Sequence, residues 1–137
     1  METLYTTTAI STGDGRNGTA ALADATLEFA LATPKATGGS GNGANPEQLF
    51  ALGYAACFHS ALKVVGGRHG KSVAGSTVTA RVSLGRDGAG FGLAVELTAA
   101  VPALSAAETR ELIEAAHEIC PYSKATRGNI PVELAVG

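Results

Sequence analysis

Apolar and polar positions change rhythm several times along this chain, and each change predicts an element. Residues 4–10 are rich in β-branched side chains, and residues 19–22 and 26–31 follow, separated by the turn-like Ala23-Asp24-Ala25; all three read as strands. Between the first two lies Gly13-Asp14-Gly15-Arg16-Asn17-Gly18. Three glycines in six residues predict a tight turn that presents one charged side chain, Arg16. After a glycine-rich loop, Asn45 offers an N-cap, Pro46 suits the first helical position, Glu47 complements the helix dipole, and Gln48 can close a capping box. The helix that starts there is expected to run to about Val65 and to end at Gly66-Gly67. It is apolar on nearly all sides, with small residues at Gly53, Ala56 and Ser60. Such a helix is buried on most sides. A chain of this length is hard pressed to supply that cover, so a partner subunit is expected.

Residues 76–84 and 90–101 alternate again and predict a hairpin around residues 85–89. Ser105 to Glu108 has the form of a capping box. It opens a second helix, with Leu112, Ile113, Ala116 and Ile119 on its apolar side, that stops at Cys120-Pro121. A last strand covers residues 132–136. Strands, long helix, strands, helix and strand make an α+β fold with a mainly antiparallel sheet.

Composition narrows the field. The 137 residues are one domain's worth of chain, and a 45% hydrophobic content excludes disorder as the main state. A net charge of −2 leaves no basic face for a phosphate backbone, so no nucleic acid partner is expected. Two cysteines are too few for a secreted disulfide scaffold. The N-terminus shows neither a basic nor an apolar leader region. The uncharged helical run of residues 48–62 falls short of the ~18 residues a bilayer span needs. A cytoplasmic protein with reduced thiols and no membrane association is expected.

The candidate chemistry centres on those cysteines. Cys57 lies mid-way along the long helix and Cys120 at the end of the second. Free cysteines are often bland small hydrophobes. A reactive one needs its thiolate, and Cys57 is too far into its helix for the dipole to help, so a cation must be brought to it. Arg16 is the candidate, although an arginine in an exposed turn is common. Glu47 is either a first-turn dipole partner or the carboxylate that orients an arginine in a bidentate pair. Cys57, His59, His117 and Cys120 are of zinc-ligand type, but Cys57 and His59 point to nearly opposite sides of one helix. At most Cys57, His117 and Cys120 converge. His69 is read as a solvated loop residue. The glycine loop lacks the Lys-Ser/Thr of a phosphate-binding loop.

Three segments carry a resemblance: Asn45-Pro46-Glu47-Gln48-Leu49-Phe50, Gly53-Tyr54-Ala55-Ala56-Cys57-Phe58, and the run from Ala116 through Cys120-Pro121-Tyr122-Ser123 to Ile130. Together they resemble the organic hydroperoxide resistance proteins of bacteria, in the OsmC-like superfamily. The resemblance implies an intertwined α+β homodimer, mainly antiparallel sheet around a long buried central helix, as a single domain over residues 1–137. It implies reduction of organic, lipid-like hydroperoxides without metal or other cofactor. Cys57 matches the attacking cysteine and Cys120 the resolving one, with Arg16 and Glu47 as the remaining catalytic residues. The reductant implied is dihydrolipoamide or a lipoylated protein. One departure stands out: Asp14, two residues from Arg16, could compete for its guanidinium. Phe50, Tyr54, Phe58 and Phe91 are expected to make the surroundings apolar. The alternatives are an osmotic-stress peroxidase of broader specificity, or a non-catalytic redox sensor or small-ligand carrier. Finally, Glu47 and Cys57 are ten residues apart on one helix, a rise of ~15 Å that two short side chains cannot bridge. If both belong to one active site, either the helix breaks between them or Glu47 comes from a partner chain. With no proline from Leu49 to Leu62 and Gly53 a weak breaker, the partner chain is expected.

Overall fold

The strand-forming residues early in the chain build a small sheet with almost nothing buried beneath it. In the computed structural model, which describes residues 1–137, the chain forms two compact units, Met1–Leu49 and Phe50–Gly137. The first unit contains β1 (Ala9–Thr12), β2 (Thr19–Leu22) and β3 (Glu28–Ala30), paired antiparallel in that order. Strand β1 is shorter and later than the run of β-branched residues predicts. Its register against β2 matches Ala9 with Leu22 and Thr12 with Thr19, so residues 4–7 have no strand to pair with. Leu4, Tyr5, Ile10 and Leu27 are exposed, and only Ala32 and Asn45 of this unit are buried.

Helix α1, Pro46–Arg68, begins at the end of the first unit and continues through the second. Its start follows the predicted capping box. The Asn45 Oδ1 accepts from the Gln48 N–H at 2.9 Å, and the Gln48 Oε1 accepts from the Asn45 N–H at 3.0 Å. Its end lies beyond the predicted stop. Gly66 is buried where the helix packs close to Val73, and the chain leaves the helix only before Gly70, which adopts φ 64°. Packing thus keeps helical two glycines that local propensity assigns to a terminus. The full helix is long and apolar enough to cross a bilayer by length and composition. Tyr54, Phe58, Ala61, Leu62 and Val65 nevertheless sit in the protein core, as in a core helix. The other sides are less covered: Leu52 is 65% exposed and Val64 47%.

The second unit holds the core. Strands β4 (Thr77–Asp87) and β5 (Gly90–Ala100) form a long antiparallel hairpin, and β6 (Val132–Val136) pairs parallel to β5. The hairpin is longer than expected because residues 85–87 stay in the ladder, up to the pair Asp87 and Gly90. Alternation along β5 turns Val95, Leu97 and Ala99 inward. They meet α1 and the apolar side of α2 (Ala106–Ile119), with Leu112, Ile113 and Ala116 fully enclosed. The Ser105 capping box is formed with Glu108 in both directions. A third helix, α3 (Pro121–Thr126), begins where the sequence reads as a stop. Proline ends a helix that it follows, and it is equally at home as the first residue of the next one.

Candidate active site

The predicted site residues fall into two groups, one in each unit. In the first unit, a 3-10 turn over Gly15–Asn17 presents Arg16. Gly13 and Gly15 both adopt positive φ, 81° and 52°, which only glycine takes without strain. The turn is anchored by Asn17, whose side chain donates to Thr33 Oγ1 and accepts from the Thr33 N–H, both at 3.0 Å. The segment before α1 is tied back to the sheet region, with the Ala44 N–H donating to the Ala30 carbonyl and the Ala32 N–H to that of Ala44. These supports position Arg16 and Glu47, 31 residues apart, for a bidentate pair: Nη1 to Oε2 at 2.9 Å and Nη2 to Oε1 at 2.7 Å. The Arg16 hydrogen bonds hold the Glu47 carboxyl below the usual carboxylate range, and Glu47 raises the guanidinium in return. The competition expected from Asp14 does not occur, since Arg16 pairs with Glu47 and not with Asp14. Two of five guanidinium protons are spent on Glu47, which leaves three free to donate.

In the second unit, Cys57 of α1 and Cys120, the residue between α2 and α3, are both free thiols. Their sulfurs are 3.6 Å apart, although the residues are 63 positions apart in sequence. Cys120 is fully buried and Cys57 partly so. Burial pushes the Cys57 thiol up, a shift opposed by the Tyr122 backbone and reinforced by Cys120. No basic side chain of this unit lowers it. The unit therefore brings two thiols within about 1.5 Å of the ~2.05 Å bonding distance but does not supply the charge a thiolate needs.

Around the cysteines the structure adds contacts that the sequence does not reveal. Tyr54, one turn before Cys57, is fully buried, with its hydroxyl 2.9 Å from both Ser123 Oγ and Thr126 Oγ1. Ser123 in turn lies 2.8 Å from His117 Nδ1. The Tyr122 ring packs with Phe50 and Tyr54 and covers Gly53, where a Cβ would stand 2.5 Å from the Tyr122 hydroxyl. Next to it an open groove of about 630 Å³ is lined by Phe50, Phe91, Leu93, Pro121, Tyr122 and Ile130. Of the four aromatics expected to make the surroundings apolar, Phe50 and Phe91 line this groove, while Tyr54 and Phe58 belong to the core. In the sequence the only signal for the hydroxyl network is the polar spacing of Ser123 and Thr126, on a helix whose Pro121 reads equally as a stop or a start.

The histidines are otherwise engaged. His59 Nε2 is 2.9 Å from Ser76 Oγ, and His69 Nδ1 is 3.9 Å from a Glu111 carboxylate oxygen. No three His, Cys, Asp or Glu side chains lie close enough together to hold a metal ion.

Known proteins share this arrangement of chain. Residues 39–135 match the family model described as OsmC-like protein. An organic hydroperoxide resistance protein of Xanthomonas axonopodis pv. citri is 47% identical over 135 residues, covering 97% of this chain and 94% of that one. Among solved structures, an organic hydroperoxide resistance protein of Legionella pneumophila superposes with a TM-score of 0.93 at 45% identity, covering 99% of both chains. One from Elizabethkingia anophelis gives 0.92 at 50% identity, covering 100% of this chain and 99% of that one. The long central helix and α+β architecture are those of these relatives, and the chain belongs to the organic hydroperoxide resistance proteins of the OsmC-like family.

Proposed function

We propose that this protein is a thiol-dependent peroxidase that reduces organic hydroperoxides to alcohols. The observation that carries the proposal is the pair of free thiols 3.6 Å apart, one buried and one accessible in part. The family's named members, organic hydroperoxide resistance proteins, support the substrate class.

In the reaction, the Cys57 thiolate attacks the distal peroxide oxygen. The O–O bond breaks, a Cys57 sulfenic acid forms, and the alkoxide leaves as the alcohol after taking up a proton. The free N–H groups of Arg16 stabilise the thiolate and then the charge that moves to the leaving oxygen. Glu47 holds the guanidinium in place through its two hydrogen bonds. The Cys120 thiol then attacks the sulfenic sulfur, which forms the Cys57–Cys120 disulfide and expels water. A dihydrolipoyl dithiol, free or on a lipoylated protein, reduces the disulfide and becomes oxidised in exchange. Neither metal nor organic cofactor takes part. The apolar groove beside Tyr122 favours hydroperoxides with an apolar tail over hydrogen peroxide, and a cytoplasmic location keeps the thiols reduced.

The working unit in this reading is a homodimer whose chains, each one domain over residues 1–137, share two active sites. Arg16 and Glu47 of one subunit serve Cys57 and Cys120 of the other. Helix α1 is unbroken from Pro46 to Arg68, so the ten residues from Glu47 to Cys57 rise ~15 Å, which supports service in trans. The exposed Leu52, Val64, Ile10 and Leu27 offer apolar surface for such a dimer.

Steady-state turnover of cumene hydroperoxide and hydrogen peroxide with dihydrolipoamide tests the reading. A higher kcat/KM for cumene hydroperoxide is expected. A single oxidation per subunit with no turnover would mark a redox switch instead. Service in trans is tested by refolding Cys57→Ser and Glu47→Ala chains together. Mixed dimers recover activity only if Glu47 acts across subunits; activity no higher than that of the separate variants rejects it.

A further inference from the structure

The hydroxyl network beside the cysteines has only one arrangement of protons that makes every hydrogen bond. Each hydroxyl has one proton to give. Thr126 Oγ1 lies 3.2 Å from the Ser123 carbonyl oxygen, to which it donates. It must then accept from the Tyr54 hydroxyl. The Tyr54 proton being spent, Ser123 Oγ donates to Tyr54. Nothing remains on Ser123 for His117, so His117 Nδ1 carries a proton and donates it to Ser123 Oγ. Running the chain the other way forfeits the bond from Thr126 to the Ser123 carbonyl.

This chain of bonds spans the resolving cysteine. His117 sits three residues before Cys120 in the last turn of α2, and Ser123 and Thr126 follow it on α3. The far end of the chain is Tyr54, three residues before Cys57 on α1. The strands of polypeptide on both sides of Cys120 are thus fastened to the turn of α1 that carries Cys57. To form a disulfide the sulfurs must close from 3.6 Å to ~2.05 Å, and the Cys120 segment must not swing away while they do so.

We propose that Tyr54 and His117 are positioning residues for the resolving step, which hold Cys120 against Cys57 through the Ser123 and Thr126 hydroxyls. The inference rests on the peroxidase reading above. The first step, attack of Cys57 on the peroxide, does not depend on the network. Its loss lengthens the life of the Cys57 sulfenic acid without slowing its formation. Misplacing reacting atoms by about 1 Å costs on the order of 100-fold in rate, so a slowing of about ten-fold or more is expected.

The test is a single-turnover experiment with one equivalent of cumene hydroperoxide on the full chain. Peroxide loss and disulfide formation are followed separately, and surviving sulfenic acid is trapped with dimedone. Tyr54→Phe and His117→Leu should consume peroxide at the wild-type rate, form the disulfide slowly and trap heavily. His117→Asn keeps an N–H donor near the Nδ1 position and should restore fast disulfide formation. Nitrogen NMR of the wild-type protein should find the neutral His117 ring protonated on Nδ1. Disulfide formation as fast as wild type in both Tyr54→Phe and His117→Leu overturns the proposal, even if those variants melt at lower temperature. A proton on Nε2 alone, or an Asn variant as slow as the Leu one, overturns the direction assigned to the chain. Should Tyr54→Phe fail to fold, the two variants at the partly exposed His117 carry the test. A wild-type protein that forms no Cys57–Cys120 disulfide at all removes the peroxidase reading, a result distinct from the variants matching wild type.

Discussion

The two compact units of this chain are opposites in what holds them and in what they carry. Phe50–Gly137 encloses a core of large side chains, among them Tyr54, Phe58, Leu62, Leu97, Leu112 and Ile113, and it carries the two thiols. Met1–Leu49 buries only Ala32 and Asn45, leaves Ile10 and Leu27 exposed, and carries the ion pair. Cys57 sits where burial raises the cost of ionising its thiol; the guanidinium sits on a turn held by backbone and side-chain hydrogen bonds. A desolvated thiol reacts slowly without a cation, and an exposed Arg–Glu pair alone does no chemistry. The thiols are thus held by hydrophobic packing and the ion pair by polar contacts, so the two should fail under different perturbations.

Cys57→Ser should have the largest effect, abolishing peroxide consumption while leaving the fold intact. Cys120→Ser should still react once and leave a sulfenic acid at Cys57. Full turnover by Cys57→Ser would refute the division of labour outright. Arg16→Ala should follow, with a loss on the order of 100- to 1,000-fold in kcat/KM, the scale seen when one charge-stabilising donor is removed. The loss should narrow as pH rises, because burial pushes the unassisted Cys57 thiol up, so that it ionises only at higher pH. Arg16→Lys should recover activity in part, since a point charge cannot reproduce the two-pronged pair with Glu47. An unchanged thiolate titration in Arg16→Ala would break the electrostatic half of the comparison.

Much of this was legible from local sequence. The Asn45 and Ser105 caps, the β4–β5 hairpin and the two cysteine segments are written in residues that are neighbours in the chain. What sequence could not show depends on distant partners. The Arg16–Glu47 pair joins residues 31 apart: the sequence offers a bidentate pair as one of two readings of Glu47, and only the fold selects it, over Asp14 as well. Helix α3 hid behind a proline that reads equally as a stop or a start. The extension of α1 through Gly66 is decided by packing against Val73 rather than by propensity. The Tyr54 network draws on three helices, so no window of sequence contains it.

Smaller effects sharpen the contrast in stability. Leu112→Ala, in the core of the second unit, should destabilise by about 2–5 kcal/mol in denaturant titration. Ile10→Ala, on the exposed β1, should cost far less in a monomer; a large, concentration-dependent loss there would mean that a partner covers it. Smallest is Glu108→Gln. Lys71 and the Ser105 cap hold the Glu108 carboxyl down to about 2. The stability it contributes is fully present above its unfolded value of ~4.3 and is lost as pH falls towards 2. Wild type and Glu108→Gln should therefore differ at neutral pH and converge in acid, as thermal melts between pH 7 and 2 would record.

The central claim is that two thiols held together by the core perform the redox chemistry. Its most direct measurement is the intact mass and disulfide map of the reduced protein after one equivalent of cumene hydroperoxide, then after dihydrolipoamide. The account predicts a chain two hydrogens lighter, linked Cys57 to Cys120, that returns to its starting mass with the dithiol and repeats the cycle with fresh peroxide. An unchanged mass, or oxidation confined to residues other than Cys57 and Cys120, would contradict it.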